Sequence, residues 1–438
     1  MSELTGWIDR QYRHCATAML RSISPVQLVK DRPGFGQSIR AIKGSVIASP
    51  VLGAYDPDPD YFFHWFRDSA VVIDALRLLH QDGTLGAEAV TLFADFVQFS
   101  QDLQRLDGRK LVSPDAWRTR VTPEFQKFVR PEAELAAVHG DAVVGETRVN
   151  PDGTLDISRW GRPQNDGPPL RALTLLRWLR GAQLGAAAQQ QASSLLRDDL
   201  AYTADHWTDP CYDIWEEEKG QHYYTLCVSA RALEEGAAWL AGAGEQQRAQ
   251  ALHSQTQLLR RRLDQFWSPE LKYYRSRDLP AGARSAKELD IAVILAAIHT
   301  AAADNVHSVH DPKMHATLAA LERLFAADYP INHRRPGSRG PAMGRYAGDV
   351  YYSGGAYYFS TLGAAEFCFR AAAGVRADAA WIARGDAYLE TVRIHTPESG
   401  ELSEQFDKKT GVQSSAKQLA WSYAAFISCV TARRAVVG

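Results

Sequence analysis

Two groups of carboxylates stand in loops that also carry aromatic and basic side chains: the run Glu216-Glu217-Glu218 directly after Trp215, and Glu404 between Ser403 and Gln405. Acid–base cleavage of a glycosidic bond needs such a pair on separate loops, one carboxyl protonated to serve the leaving oxygen and one ionised to act on water or on the anomeric carbon. Three adjacent carboxyls repel one another, and partial burial beside Trp215 adds to the effect. The run therefore predicts a carboxyl pKa raised toward the value a general acid needs. The competing reading of the same run is a solvated acidic helix start favoured by the helix dipole. Glu404, in a polar turn, predicts the ionised partner.

The segments 61–69 (YFFHWFRDS), 159–171 (RWGRPQNDGPPLR), 212–225 (YDIWEEEKGQHYYT), 344–355 (GRYAGDVYYSGG) and 402–423 (LSEQFDKKTGVQSSAKQLAWSY) each mix rings with carboxylates, arginines or amides. A pyranose has apolar faces that stack on aromatics and hydroxyls that suit bidentate arginine and carboxylate groups. In a single loop, core packing and helix capping account for the same residues. Five such loops, each placed before an apolar helical stretch, favour a sugar site.

What positions these loops is a repeat. Six times the chain passes through a loop rich in Gly, Pro, aromatic and charged residues and then enters an apolar stretch, beginning near Asp68, Pro169, His222, Lys287, Gly355 and Lys417. Stretches such as 289–298 (LDIAVILAAI) and 420–430 (AWSYAAFISCV) are apolar on nearly all sides, which predicts helices buried all round. Between them lie segments with one apolar stripe, as where Leu252, Leu259, Leu263 and Phe266 recur among Gln and Arg. With an N-terminal helix near 8–22, the pattern predicts about twelve helices alternating outer and inner: an all-α, (α/α)6 barrel forming one domain over 1–438. The six loops before the inner helices then emerge at one end. Residues 107–160 insert extra material, and 147–160 (TRVNPDGTLDISRW) has the turn chemistry of a small β-hairpin.

Taken in order, these loops resemble the signature segments of the glucoamylase family, from about residue 45 to the C-terminus, with a weaker likeness in RSAKELDIAVILAAIHT. The resemblance implies an (α/α)6 barrel that inverts α-glucosides. By motif position it implies Glu216 as general acid and Glu404 as general base. It further implies Arg67 and Asp68 as the pair holding the non-reducing-end glucose, Arg345 as another sugar-binding arginine, and Glu217 as a contact to the next sugar. Tyr61, Trp65, Trp160, Trp215 and Tyr351 are implied as an aromatic wall. A pocket closed by Arg67 and Asp68 admits only a chain terminus, so exo action on short α-1,4- or α-1,6-linked gluco-oligosaccharides is expected. Glu218, Lys219, Gln221 and His222 stand where starch-degrading members carry smaller or apolar residues. They predict a more charged surface toward the leaving sugar and a preference extending to isomaltose. Two other classes share such a barrel, an inverting sugar phosphorylase and a non-catalytic carbohydrate-binding relative. Glu404 argues against the first, and the presence of both carboxyls against the second.

Net charge of −2 over 438 residues gathers no phosphates, which disfavours nucleic acid as a partner. The N-terminus lacks a basic start and apolar stretch, and the run Ile291 to Ile298 is too short to span a bilayer. With no room for a starch-binding domain or an N-terminal β-sandwich, a cytoplasmic monomer acting on a small-molecule oligosaccharide is expected. Cys15, Cys211, Cys227, Cys368 and Cys429 are scattered and read as buried thiols. Asp56, Asp58 and Asp60 imitate an EF-hand start, but Tyr61 stands where the loop needs Gly and Arg67 where it needs Glu. His64 and His222 lack metal-ligand spacing and read as hydrogen-bonded structural residues. No metal or cofactor is implied.

Overall fold

The computed structural model describes residues 3–437 apart from 54–57, 113–116, 281–282, 284, 303, 334 and 374–377. Asp56 of the acidic run lies outside the described residues; Asp58 pairs with Lys417 and Asp60 with Arg32.

Where apolar residues fill every position, the helices lie inside. α1 (Glu3–Leu20) is followed by α2 (Phe66–Gln81), α3 (Ala87–Leu103), α4 (Gly167–Gly181), α5 (Ala186–His206), α6 (Tyr223–Gly242), α7 (Gln246–Asp264), α8 (Ala292–Thr300), α9 (Pro312–Asp328), α10 (Tyr358–Ala372), α11 (Ala379–Ile394) and α12 (Ala420–Val437). The even-numbered helices pack each against the next, and α12 packs back on α2, closing a ring. Every residue of α10 from Tyr358 to Phe369 is buried. The odd-numbered helices lie outside. α7 buries only Ala249, Leu252, Thr256, Leu259 and Leu263, a stripe at alternating steps of three and four that turns one face inward. This is the (α/α)6 barrel, and the first inner helix starts within two residues of the expected position.

Aromatic and charged contacts tie the two layers. Trp178 of α4 stacks on Phe93 of α3 at 4.4 Å, and its indole N–H donates to the Ile73 carbonyl of α2. Arg171 of α4 grips Asp199 of α5 through two hydrogen bonds of 2.7 and 2.9 Å, so neither buried charge is left unpaired. All five cysteines are buried and unpaired.

The insertion differs from expectation. Residues 107–146 form 3-10 turns and one short helix, with their own small cores around Phe35, Val121, Val129 and Ile157 and around Phe99, Val138 and Leu155. The hairpin predicted over 147–160 contracts to a tight turn with a single bridge, Val149 to Leu155. Its first strand, Arg148–Val149, pairs instead with His64–Trp65 at the entrance to α2. That pairing sews the insertion to the barrel mouth, a non-local gain that a local pattern does not reveal.

Candidate active site

Short strands deliver the chain into the inner helices: His64–Trp65 into α2, Lys219–His222 into α6 and Ala356–Tyr357 into α10. None of these three helices has a side-chain N-cap, because the capping positions are Trp65, His222 and Tyr357. The first turn of α2 thus presents Arg67 and Asp68 to the barrel axis, with Asp68 near the positive end of the helix dipole.

The three glutamates lie on a turn rather than at a helix start. The Asp213 carboxylate accepts the backbone N–H groups of Trp215, Glu217 and Glu218 at 2.9 to 3.3 Å, curling the run around itself. Glu216 is forced into the left-handed region at φ 67°, a conformation that costs a non-glycine residue about 1–3 kcal/mol and marks functional turns. The mutual crowding expected from sequence is relieved, because each carboxyl meets its own cation. Glu216 faces Arg67 at 3.3 Å, Glu217 faces Arg345 at 3.1 Å and Lys287 at 2.6 Å, and Glu218 faces Arg277 at 2.6 Å. Burial pushes the Glu218 carboxyl up, but Arg277 and Ser285 outweigh it and hold the carboxyl below the usual range. Glu216 also accepts the indole N–H of Trp65 at 2.8 Å on one oxygen and that of Trp160 on the other.

Across the pocket, Glu404 is 8% exposed. Its backbone N–H donates to the Ala416 carbonyl at 2.7 Å, and its carboxylate accepts the hydroxyls of Tyr61, at 3.1 Å, and Ser415. Tyr61 in turn bonds Tyr351 at 2.8 Å. Burial pushes the Glu404 carboxyl up to about 7 despite the opposing pull of Ser415, Arg345 and Tyr61. A polar turn predicts an ionised partner; burial instead places the ionisation of Glu404 near neutrality.

The inner end of the pocket is closed. Arg67 sits among Asp68, Asp166 and Glu216, which together keep its guanidinium charged against burial. Burial, reinforced by Glu216 and Asp166, pushes Asp68 up to about 6, against the pull of Arg67. Phe359 and Trp421 stack at 4.3 Å and 5°, and this pair separates the pocket from a smaller cavity of about 40 Å³ further along the barrel axis. At the other end Trp160 is 41% exposed and rests on the Arg148 guanidinium at 3.6 Å. The pocket measures about 270 Å³, close to the lower bound of ordinary ligand pockets.

Tyr61, Trp65, Arg67, Asp68, Trp160, Trp215, Glu216, Glu217, Arg345, Tyr351 and Glu404 all line this one pocket. Arg345 is anchored by Asp349 at 2.6 and 2.7 Å and lies 5.3 Å from the Trp215 ring. Sequence reasoning passed over Phe359 and Trp421, whose positions inside buried helices read as core, and Ser415 and Asp213, which act on a carboxylate and a turn. It misplaced the residues after the glutamate run. His222 is buried with Nε2 on the Cys211 carbonyl, Gln221 is held by Arg262 and the Thr208 carbonyl, and Glu218 anchors Arg277. None of residues 218–222 lines the pocket. His64 is buried too, its Nδ1 accepting from the Val46 N–H. Among the described residues no helix is long and apolar enough to cross a membrane, and no cluster of three or more His, Cys, Asp or Glu could hold a metal ion.

The model of the family described as Glycosyl hydrolases family 15 matches residues 34–384 and 379–431. Glucoamylase 1 of Rhizopus oryzae is 26% identical over 485 aligned residues, covering 99% of this chain and 71% of its own length. A probable glucoamylase of Schizosaccharomyces pombe is 28% identical over 435 residues, covering 90% and 86%. The solved family 15 glucoamylase of Hypocrea jecorina superposes with a TM-score of 0.78 at 26% identity, over 99% of this chain and 73% of that one. With that match running through nearly the whole barrel and every loop that faces the pocket, the chain belongs to glycosyl hydrolases family 15 and is a glycoside hydrolase.

Proposed function

We propose that this enzyme is an inverting, exo-acting α-glucosidase that releases β-glucose from the non-reducing ends of short α-1,4- or α-1,6-linked gluco-oligosaccharides. One observation carries the reading: Glu216 and Glu404, on different loops and with different partners, face a single pocket closed at its inner end. Arg67 and Asp68 at that closed end suit the hydroxyls of a terminal glucose. Glu216 gives its proton to the glycosidic oxygen as the C1–O bond breaks. Glu404 takes a proton from a water whose oxygen bonds C1 from the opposite face, which inverts the anomeric configuration. A phosphorylase would bring a phosphate dianion to the place of that water, against the buried carboxyl of Glu404; hydrolysis fits the site better.

Hydrolysis of maltose and isomaltose by the wild type and by Glu216→Gln and Glu404→Gln tests the reading. The expected outcome is β-glucose as the first product by proton NMR and a fall in kcat of about 10²–10⁴-fold in each variant. α-Glucose appearing first, or near wild-type activity in either variant, would overturn it. Glu218, Lys219, Gln221 and His222, the residues that predict activity on isomaltose, lie outside the pocket wall.

A further inference from the structure

The three consecutive glutamates have three different partners, and the third holds in place a residue that the reaction so far does not use. The Glu218 carboxylate accepts the Ser285 hydroxyl at 2.8 Å, and Ser285 Oγ accepts the Lys287 backbone N–H at 3.0 Å. The Lys287 carbonyl accepts the Ser276 hydroxyl at 2.8 Å. Both backbone groups of Lys287 are thus fixed, on the loop between the strand Arg277–Asp278 and α8. Its ammonium lies 2.6 Å from Glu217 and 4.8 Å from the centre of the Tyr346 ring.

These contacts form a row of alternating charge, Asp349–Arg345–Glu217–Lys287. Glu217 and Arg345 line the pocket, and Glu217 is the residue after Glu216, so the row stands on the side toward which the leaving group departs. The outer two members are more exposed than the inner two. The side chain of Arg345 is 6% exposed and those of Glu217 and Lys287 are 27% and 25%. Glu217 accepts three hydrogen bonds, one oxygen on Arg345 and the other on Lys287 and the Tyr346 hydroxyl. An ammonium carries three donors, and only one of those on Lys287 is used by Glu217. Among the described residues the Lys287 ammonium meets no acceptor besides Glu217, and it stands just outside the pocket wall, against Glu217, at a partly open position.

We infer that Lys287 is a specificity-determining residue for the leaving group, its ammonium donating to a hydroxyl of the departing sugar while Glu217 aims it. The inference rests on the proposed glucosidase reaction. A departing sugar offers hydroxyl oxygens to this donor, whereas a nitrophenyl group offers none. The measured quantity is the ratio of kcat/KM for maltose and for isomaltose to that for p-nitrophenyl α-glucoside, in the wild type and in Lys287→Met. Glu217 keeps Arg345 and Tyr346 in the variant, and circular dichroism checks its fold; Lys287→Gln replaces it if the Met variant does not fold. The expected result is a fall of about tenfold or more in at least one of the two ratios, the loss of one charge-assisted hydrogen bond made to a sugar and not to nitrophenol. Equal losses on all three substrates would overturn the assignment, as would no loss at all. A wild type inactive on all three substrates would instead refute the reaction, so the two failures are distinguishable.

Discussion

At the scale of single residues, the pH dependence of the proposed reaction belongs to Glu404 as its base. A general base must be ionised to act, and burial holds this carboxyl up to about 7. As the pH falls through about 7 the base takes up a proton, so kcat/KM should decline on the acid side with its midpoint there. Ser415 donates to the carboxylate and thereby favours the ionised form. Ser415→Ala removes that donor, and the acid limb of the pH–rate profile should move to higher pH; an unmoved limb, or one moved downward, would assign the ionisation elsewhere. The same shift has a sign for stability. A folded-state pKa above that of a free glutamate means a contribution that is fully present at low pH and lost as the pH rises through about 7. That the two carboxyls would face one pocket was legible in the chain, because Trp215-Glu216 and Ser403-Glu404 stand in distinctive loops. Their environments were not. Arg67, Arg345, Lys287 and Arg277, which relieve the crowding of the glutamate run, come from other segments of the chain, and nothing in the run itself announces them.

At the scale of elements, the pocket depends on how closely two loops approach. Gly161, next to Trp160, lies where an added Cβ would stand 2.8 Å from the Glu216 carbonyl and 2.9 Å from the Tyr212 ring. Gly161→Ala should therefore push the Trp160 loop away from the glutamate turn and draw the Trp160 indole off Glu216. We expect kcat/KM to fall by about tenfold or more, since small displacements of positioning groups are costly, while the thermal midpoint drops only slightly because the barrel core is untouched. An alanine variant as active as the wild type would show that this contact can be relaxed without consequence. Buried helices were the easiest elements to foresee, because their apolar runs leave no polar face to solvate. The insertion was harder. Its turn at residues 150–154 follows local chemistry, but its strand Arg148–Val149 found a better partner in His64–Trp65, far away in sequence. Lys219 to His222 were misjudged for a related reason: lying next to Glu216 in sequence, they run as a strand paired on one side with Cys211–Tyr212 and on the other with Arg277–Asp278, away from the pocket.

At the scale of the whole molecule, the barrel turns six separate sequence segments into one surface. The ring closes where α12 meets α2, which brings Trp421 beneath Arg67, 5.4 Å from its ring centre. The number of inner helices could be counted from the chain, but that closure joins residues more than three hundred and fifty positions apart, such as Arg67 and Trp421. The Phe359–Trp421 stack closes the inner end of the chamber, and the exposed Trp160 marks its outer end. Under the proposed reaction, the freed glucose lies behind the departing sugar in that chamber, so the two products leave in a fixed sequence, with glucose last. The vacated enzyme and the enzyme awaiting a new chain are then the same species. Glucose should consequently inhibit competitively against maltose in initial-rate measurements, and a noncompetitive pattern would point to a second way out. Under the proposed reaction each cut empties the chamber, so the shortened chain is free to drift off before the next cut, and such an enzyme would nibble across a population of oligosaccharides instead of consuming one molecule to its end.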